Sequence, residues 1–477
     1  MIKAERLAGL QPEAVFGYFE KLCTMPHGSG NTKQISDYFV SFAKENGLRY
    51  IQDDADNVIL FKDASAGYED HAPVILQAHM DMVCQVNEGS GIDMAITPLD
   101  VTHDEKYVYA RGTSLGADDG SGVALALAVL ADKALAHPPL EVIFTSGEEA
   151  GMTGAKAVDL SVLKGKRLLN MDTLSEGKFT AGCAGSARVT LTLPVKKQNM
   201  TVNRVQITLD GLRGGHSGSL IKYGYPNANK AMAELLKRLQ PLRLICLDGG
   251  MSGNAIPRSC KAVVAAGALE MKRILIVCDS FTQQLKAVGE ENVSITAQVL
   301  EAGEYDVLSI EETMRVLDFV LGLPNGVQTW DTRFENLPQT SLNLGIMKLT
   351  QELSLLHHIR SSVNVERQGL QDFLKKMVEQ SGGSYSDTGV YSAWEYRPES
   401  AFRNKLVAVY EKVYGKTPDV VVIHAGLECG IFSEKIPGLD CVSAGPSALY
   451  IHTNLEKMDI ASMSRFWNYL LEVLKEL

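Results

Sequence analysis

Four short stretches of this chain place carboxylates and an imidazole where divalent cations could be held: His79-Met80-Asp81, Asp118-Asp119-Gly120, Glu148-Glu149 and Asp172. His79 follows the apolar run Val74-Ile75-Leu76, Glu148-Glu149 follow Val142-Ile143-Phe144, and Asp172 follows Leu168-Leu169, while Asp118-Asp119 precede an alanine- and leucine-rich segment. Taken singly, each has an ordinary structural use. Asp118 or Asp119 would serve as a helix N-cap, Glu148 and Glu149 as a solvated loop, and His79 as a hydrogen-bonded residue at a strand end. Taken together they have another. Carboxylates and imidazoles satisfy zinc and harder divalent ions alike, and a carboxylate can bridge two ions. One of two adjacent glutamates could then ligate a metal while its neighbour takes a proton from bound water. Asp81, two residues beyond His79, could fix the tautomer of the imidazole, as carboxylates beside metal-bound histidines do.

Residues this far apart in sequence converge only if the fold delivers them. The first part of the chain alternates short apolar runs with helical patterns, the signature of an α/β unit with a mostly parallel sheet. Expected strands are residues 57–62, 73–78, 140–145 and 167–170, with a buried helix over 121–135 that is apolar nearly all round. In such sheets ligands bind at the carboxyl ends of the strands, and each of the four stretches stands at or just after such an end or opens the helix next to one. From about Ala187 the pattern changes to strict alternation, as in Val189-Thr190-Leu191-Thr192-Leu193, Val205 to Leu209 and Val293 to Ala297. Alternating strands belong to an antiparallel sheet with one wet face. Helices are expected among them at 227–239, at 309–321 with a capping box from Ser309 and Glu312, and at 368–378. After Trp394 the α/β character returns: a helix over 401–414 stopped by Gly415, strands at 420–423 and 440–443, and a last helix from Asp459. The sequence therefore predicts an α/β domain in two parts, 1–185 and 395–477, interrupted by an inserted α+β domain with an antiparallel sheet over 186–394, which the resemblance given below makes the catalytic domain and its lid or dimerisation domain.

Length and composition agree. A chain of 477 residues exceeds the ~250 to 300 at which single cores stop growing. Its 45% hydrophobic and 22% charged residues are those of an ordinary globular protein. A net charge of -11 disfavours nucleic acid and anionic lipid as partners, leaving small molecules or other subunits. Apolar runs such as Val123 to Ala131 are too short to span a membrane, and the mixed-charge start Met1 to Arg6 has no apolar region after it, so neither export nor membrane insertion is expected. Eight cysteines without a CxxC pair suggest no disulfide framework and no thiolate zinc site, which fits a reducing cytoplasm. Cys84 and Cys429 are read as packing residues.

Two further stretches carry candidates. The glycines of Gly214-Gly215-His216-Ser217-Gly218 would let backbone approach a ligand, or form a plain turn. His424-Ala425-Gly426-Leu427-Glu428 follows an apolar strand and should border the same crevice; Glu428 would receive a substrate's α-ammonium, or stand as a surface carboxylate.

The set Gln77-Ala78-His79-Met80-Asp81, Leu115-Gly116-Ala117-Asp118-Asp119-Gly120, Ser146-Gly147-Glu148-Glu149, Asn170-Met171-Asp172 and Gly445-Pro446 followed by Ile451-His452-Thr453-Asn454-Leu455-Glu456 resembles the M20 family of two-metal aminopeptidases, carboxypeptidases and dipeptidases, across essentially the whole chain. The resemblance implies a homodimeric dipeptidase holding two divalent cations, zinc first and manganese or cobalt as alternatives. Asp118 would bridge them, with His79 and Asp172 completing one site and Glu149 and His452 the other. Glu148 would be the general base for the water between the metals, Asp81 would orient His79, and the Asp118–Asp119 peptide would be cis. His216, often acting on the partner subunit's centre, would stabilise the oxyanion. Asn254 would bind the substrate carbonyl, and Arg360, through its planar fork, the terminal carboxylate. The same scaffold would serve an N-acyl-amino-acid deacylase or desuccinylase. A non-enzymatic metal-binding protein would have no use for Glu148 and Asp81 beside the metals, and a ligand-free homodimer module would bind no metal at all.

Overall fold

The computed structural model describes residues 5–477, so Met1 to Ala4 lie outside the described residues. The chain divides into two compact units: one runs to Cys183 and resumes over Tyr396–Val422 and Leu427–Leu477, the other comprises Ala184–Glu395 and Ile423–Gly426.

The first unit is built on an eight-stranded sheet in the spatial order 49–52, 58–62, 140–145, 74–79, 167–170, 440–443, 178–183, 419–423. Its four central strands, Leu140–Thr145, Val74–His79, Arg167–Asn170 and Asp440–Ser443, run parallel to one another, and antiparallel pairs flank them. Strands Val74–His79 and Leu140–Thr145 are buried at every position, as continuous apolar runs in a parallel sheet should be. The expected parallel centre is thus present. The buried helix, expected at 121–135, is Ala117–Ala131. Its first turn contains Asp118 and Asp119 with non-helical backbone angles, and Asp132 is already extended. A polar, irregular first turn hid the true start, since apolar periodicity registers only from Val123 on.

The second unit carries a nine-stranded sheet whose recorded pairs are all antiparallel, in the order 294–308, 197–210, 260–265, 243–249, 338–349, 352–361, 185–194, 384–391, with 326–330 beside 338–349. Alternation sets the inner face: Val189, Leu191 and Leu193 join a core with residues of helices Ala228–Arg238, Ala268–Ala287, Ile310–Gly322 and Asn364–Gln380. The last of these is longer at both ends than the expected 368–378. Asn227 caps the first through the N–H groups of Asn229 and Lys230. Ser309 accepts the N–H of Glu312 at 3.1 Å, but the expected capping box is only half made. The Glu312 carboxylate is drawn instead to the N–H of Lys196 and to Arg315.

Candidate metal centre and substrate residues

In the first unit the five residues of the candidate ligand set come together. His79 ends strand Val74–His79, Asp118 opens helix Ala117–Ala131, Glu149 follows strand Leu140–Thr145, Asp172 follows strand Arg167–Asn170, and His452 stands on the loop before the last strand and helix. Three overlapping groups, His79–Asp118–Asp172, Asp118–Glu149–His452 and His79–Glu148–Glu149, each have ligand atoms within 4.8 Å of one another. Asp118 is the shared member of the first two. Its Oδ1 is 3.0 Å from His79 Nε2 and its Oδ2 is 3.1 Å from His452 Nε2, so the two oxygens face different halves of the set. Asp172 Oδ1 is 3.8 Å from His79 Nε2, and Glu149 Oε1 is 2.7 Å from His452 Nε2. That last oxygen is buried yet makes no aligned hydrogen bond. Two ligand atoms that close, facing without a hydrogen bond, suit a cation better than they suit each other.

The electrostatics lead to the same reading. Burial pushes the carboxyls of Asp119, Glu148 and Asp172 well above the usual range, and neighbouring carboxylates push further, with His79 opposing. Burial acts on Asp118 in the same direction, but hydrogen bonds from His452 and His79 outweigh it and hold that carboxyl low. The carboxylates of Asp118 and Glu149 beside it raise His452 to about 10. Two imidazoles are too few cations for Asp81, Asp118, Asp119, Glu148, Glu149 and Asp172, and divalent ions would supply the balance. The residues present fit two such ions.

The backbone at Asp118 is arranged with care. The Asp118–Asp119 peptide is cis, as the resemblance implied. Gly116 sits at a left-handed φ of 71°, and a Cβ there would meet Met82 Sδ at 2.9 Å, so this turn requires glycine. Glu456, buried, accepts the N–H groups of Leu115, Gly116, Ala117 and Asp118 at 2.8, 2.9, 2.9 and 3.2 Å. Sequence reasoning assigned Glu456 no role; its only signal was its place four residues after His452.

Asp81 does more than was expected of it. His79 Nδ1 lies 2.9 Å from the backbone oxygen of Asp81 and 3.6 Å from its carboxylate. The carboxylate itself accepts the N–H of Glu148 at 3.0 Å, the N–H of Glu149 at 3.3 Å and the hydroxyl of Ser29 at 2.7 Å. The carboxylate holds the turn of both glutamates, whereas the hydrogen-bond partner of the imidazole is the backbone oxygen of Asp81.

Glu428 is placed differently from the expectation. It is 1% exposed, and its Oε2 accepts from Gln77 Nε2 at 2.6 Å and Thr145 Oγ1 at 2.7 Å. A carboxylate enclosed beneath the strands is not available to a substrate's ammonium. Asn170 Nδ2 donates to Gln77 Oε1 at 2.5 Å, so one buried polar chain ties the strands that end in His79, Thr145 and Asn170. Cys429 is buried as expected, whereas Cys84 is exposed and is no packing residue.

In the second unit, His216 pairs with Ala255 in a small antiparallel pair, Gly215–His216 against Ala255–Ile256, and Asn254, just before the second strand, accepts the N–H of Ser217 through its backbone oxygen. The N–H groups of Gly218 and Ser219 both point at His216 Nδ1 from 3.3 Å, which puts the proton of the neutral ring on Nε2. Arg360, 6% exposed, lies on strand Glu352–Ser361 between Ser341 and Ser186 of the adjoining strands. Those serines pair with His424 and His358, each at 2.7 Å. Burial first and the Arg360 charge second hold His424 near 3 and His358 near 2, so both rings are neutral beside the guanidinium. A buried arginine flanked by neutral imidazoles, with its own Nε unpartnered, is chemically a receptor for an anion.

Residues 75–476 match Peptidase family M20/M25/M40. The cytosol non-specific dipeptidase of Escherichia coli (strain K12) is 35% identical over 479 aligned residues, 99% of each chain. The aminoacylhistidine dipeptidase of Vibrio alginolyticus superposes with a TM-score of 0.88 at 35% identity, covering 99% of this chain and 98% of that one. The aminopeptidase PepT of Bacillus cereus, at 15% identity and a TM-score of 0.56 over 98% and 99% of the two chains, shares the fold. With the family match and the full-length relative added to the ligand geometry, the chain belongs to Peptidase family M20/M25/M40.

Proposed function

We propose that this protein hydrolyses dipeptides with the aid of two divalent cations held by His79, Asp118, Glu149, Asp172 and His452. The observation that carries the reading is the Asp118 carboxylate, with one oxygen 3.0 Å from His79 and the other 3.1 Å from His452, the arrangement of a bridging ligand. The names of the Escherichia coli and Vibrio alginolyticus relatives supply the substrate class. Bound there, the cations would lower the pKa of water and polarise a carbonyl. Glu148, whose neighbour Glu149 belongs to the ligand set, takes the proton of the attacking water and passes it to the leaving amine. Asp81 keeps Glu148 in place through the backbone N–H. His216, with its proton on Nε2, is suited to stabilise an oxyanion, Asn254 beside it to bind the carbonyl, and Arg360 to grip the terminal carboxylate. Zinc is the first choice of metal, with manganese or cobalt also accepted by this donor set.

The enclosure of Glu428 removes the one residue that would have distinguished a dipeptidase from an N-acyl-amino-acid deacylase, so the substrate panel has to do so. An α-dipeptide, β-alanyl-histidine, a tripeptide and an N-acetyl amino acid, offered to metal-reconstituted wild type and Glu148→Ala, test the reading. Dipeptides alone should be cut, and the variant should bind metal yet lose about 10² to 10⁴ in rate. Cleavage of the N-acetyl compound alone would replace the dipeptidase by a deacylase, and no cleavage with any metal would remove the catalytic role.

The protein is further proposed to act in the cytoplasm as a homodimer joined through the second unit. The eight unpaired cysteines fit a reducing compartment. No helix among the described residues is long and apolar enough to cross a membrane. Leu269 and Ile276, 82% and 70% exposed on helix Ala268–Ala287, and the edge strand Ser294–Leu308 offer a surface for a second copy. Light scattering on the purified protein gives the subunit number directly; a monomer at micromolar concentration would overturn the dimer.

A further inference from the structure

We propose that a cavity beside Glu149 receives the side chain of the substrate's N-terminal residue and selects for apolar ones. The inference builds on the dipeptide reading and names the substrate within it. The cavity, about 520 Å³, lies in the first unit, among the Gly28–Asn31 turn, the segment after Asp81 and the turn Ile92–Ala95, with Glu149 in its wall. That volume is within the range of small-molecule sites, roughly 300 to 1,000 Å³.

Its walls are Met82, Val83, Cys84, Val86, Ile92 and Met94, soft or branched apolar groups. The uncharged polar groups in the lining are already committed: Ser29 Oγ donates to Asp81, and Asn31 Nδ2 donates to the backbone oxygen of Ala95 at 3.0 Å. The charged groups among the lining residues are Asp93 and Glu149, and no lysine or arginine joins them. An acidic side chain would meet two carboxylates and no cation, whereas an apolar one would cover Val86, which is 41% exposed. Gly28 keeps the space open. It bridges to Met82, and a Cβ at Gly28 would stand 2.5 Å from Cys84 Sγ, displacing that side chain.

Connectivity selects the occupant. The N-terminal Cα of a dipeptide is bonded directly to the scissile carbonyl carbon, so its side chain must lie next to the ligands of which Glu149 is one. The C-terminal residue is a nitrogen further away from the ligands.

Two measurements test the cavity. In metal-free protein, alkylation of the exposed Cys84 is followed by peptide mass spectrometry in the presence of L-leucine, glycine or L-glutamate. Occupancy slows the reaction by 1 + [L]/Kd, at least about threefold once leucine exceeds about twice its Kd; glycine and glutamate should leave the rate unchanged. In metal-loaded protein, the ratio of kcat/KM for Leu-Gly to that for Gly-Leu should fall by at least ~10-fold in Ala95→Trp, where the exposed Ala95 side chain grows into the mouth, the range expected when a pocket loses apolar fit. Val86→Asp, on another wall, should move the ratio the same way. Equal alkylation with all three amino acids, or an unchanged ratio in both variants, would overturn the proposal. If wild type cuts no dipeptide, the proposed function falls instead, and leucine protection of Cys84 still decides whether the cavity takes apolar side chains.

Discussion

The carboxylate of Glu456 accepts the backbone N–H of Asp118 at 3.2 Å and those of the three residues before it at 2.8 to 2.9 Å. Glu456 follows His452 by four residues, so the loop that presents one candidate ligand is fastened to the backbone that presents another. The loop needs fastening. His452 and Tyr450 sit at positive φ, 61° and 55°, a region costly for residues with a Cβ unless the surroundings impose it.

Replacing Glu456 by Gln should therefore weaken metal binding more than it weakens the fold. An amide offers one oxygen where the carboxylate has two, and sets its own N–H₂ against backbone donors. A loss of about 10- to 100-fold in metal affinity is expected, the range for residues that hold ligands in place, with ~1 to 3 kcal/mol of stability lost to unpaired buried donors. Metal titration followed calorimetrically, beside thermal melting of the metal-free protein, separates the two. Unchanged metal affinity would show that the loop holds its shape without Glu456.

Asp81→Asn makes a related prediction at the other end of the set. The carboxylate serves the N–H groups of Glu148 and Glu149 and the Ser29 hydroxyl at once. One amide group cannot accept all three. Metal affinity should fall by about 10- to 100-fold, and kcat should fall as well, because the base and a ligand move together. If kcat alone fell while metal binding stayed whole, Asp81 would act on the base Glu148 and not on the ligands His79 and Glu149.

Crowded, buried carboxylates with two imidazoles among them make the fold dependent on cations. Chelation should lower the melting temperature, and zinc, manganese or cobalt should restore it. An ion that binds only the folded state adds about 4 kcal/mol at a thousand times its Kd. Glu149→Gln and Asp172→Asn should each blunt that response, and Asp172→Asn should also raise the melting temperature of the metal-free protein, since burial and the Asp118 carboxylate oppose ionisation at that position. A metal-free melting temperature unmoved by Asp172→Asn would show that the crowding there costs the fold nothing.

What the sequence made legible follows from what periodicity and local chemistry can report. Strands Leu140–Thr145, Arg167–Asn170 and Asp440–Ser443 and helix Ala401–Tyr414 were readable to the residue, because apolar runs there end abruptly at polar groups or at Gly415. Helix Ala117–Ala131 was misplaced by four residues at its start, since its first turn is acidic and irregular. The assembly of His79, Asp118, Glu149 and Asp172 could be anticipated because each stands where a strand ends or a helix begins. Glu456 and the buried chain Asn170–Gln77–Glu428 could not: their partners lie up to 351 positions away and leave no periodic trace. Glu428 misled for the same reason, because a carboxylate in a glycine-rich loop reads as exposed until the strands above it are in place.

That enclosure of Glu428 has a pH signature. Burial, reinforced by Asp81 and opposed by His79, Thr145 and Gln77, raises its carboxyl to about 7, against ~4.3 for an unfolded glutamate. Between those values the folded chain keeps a proton that the unfolded chain releases. Stability of the metal-free protein should therefore fall as the pH rises from ~4.3 toward 7, and the loss should level off above 7 at up to about 4 kcal/mol. Glu428→Gln, which resembles the protonated form, abolishes this contribution. It should melt with wild type at pH 4 and above wild type at pH 8, where the ionised carboxylate burdens the native fold. Melting curves of the two metal-free proteins across that range decide it: a difference of the same size at both ends would mean that Glu428 is ionised throughout and that its bonds to Gln77 and Thr145 hold it as a carboxylate.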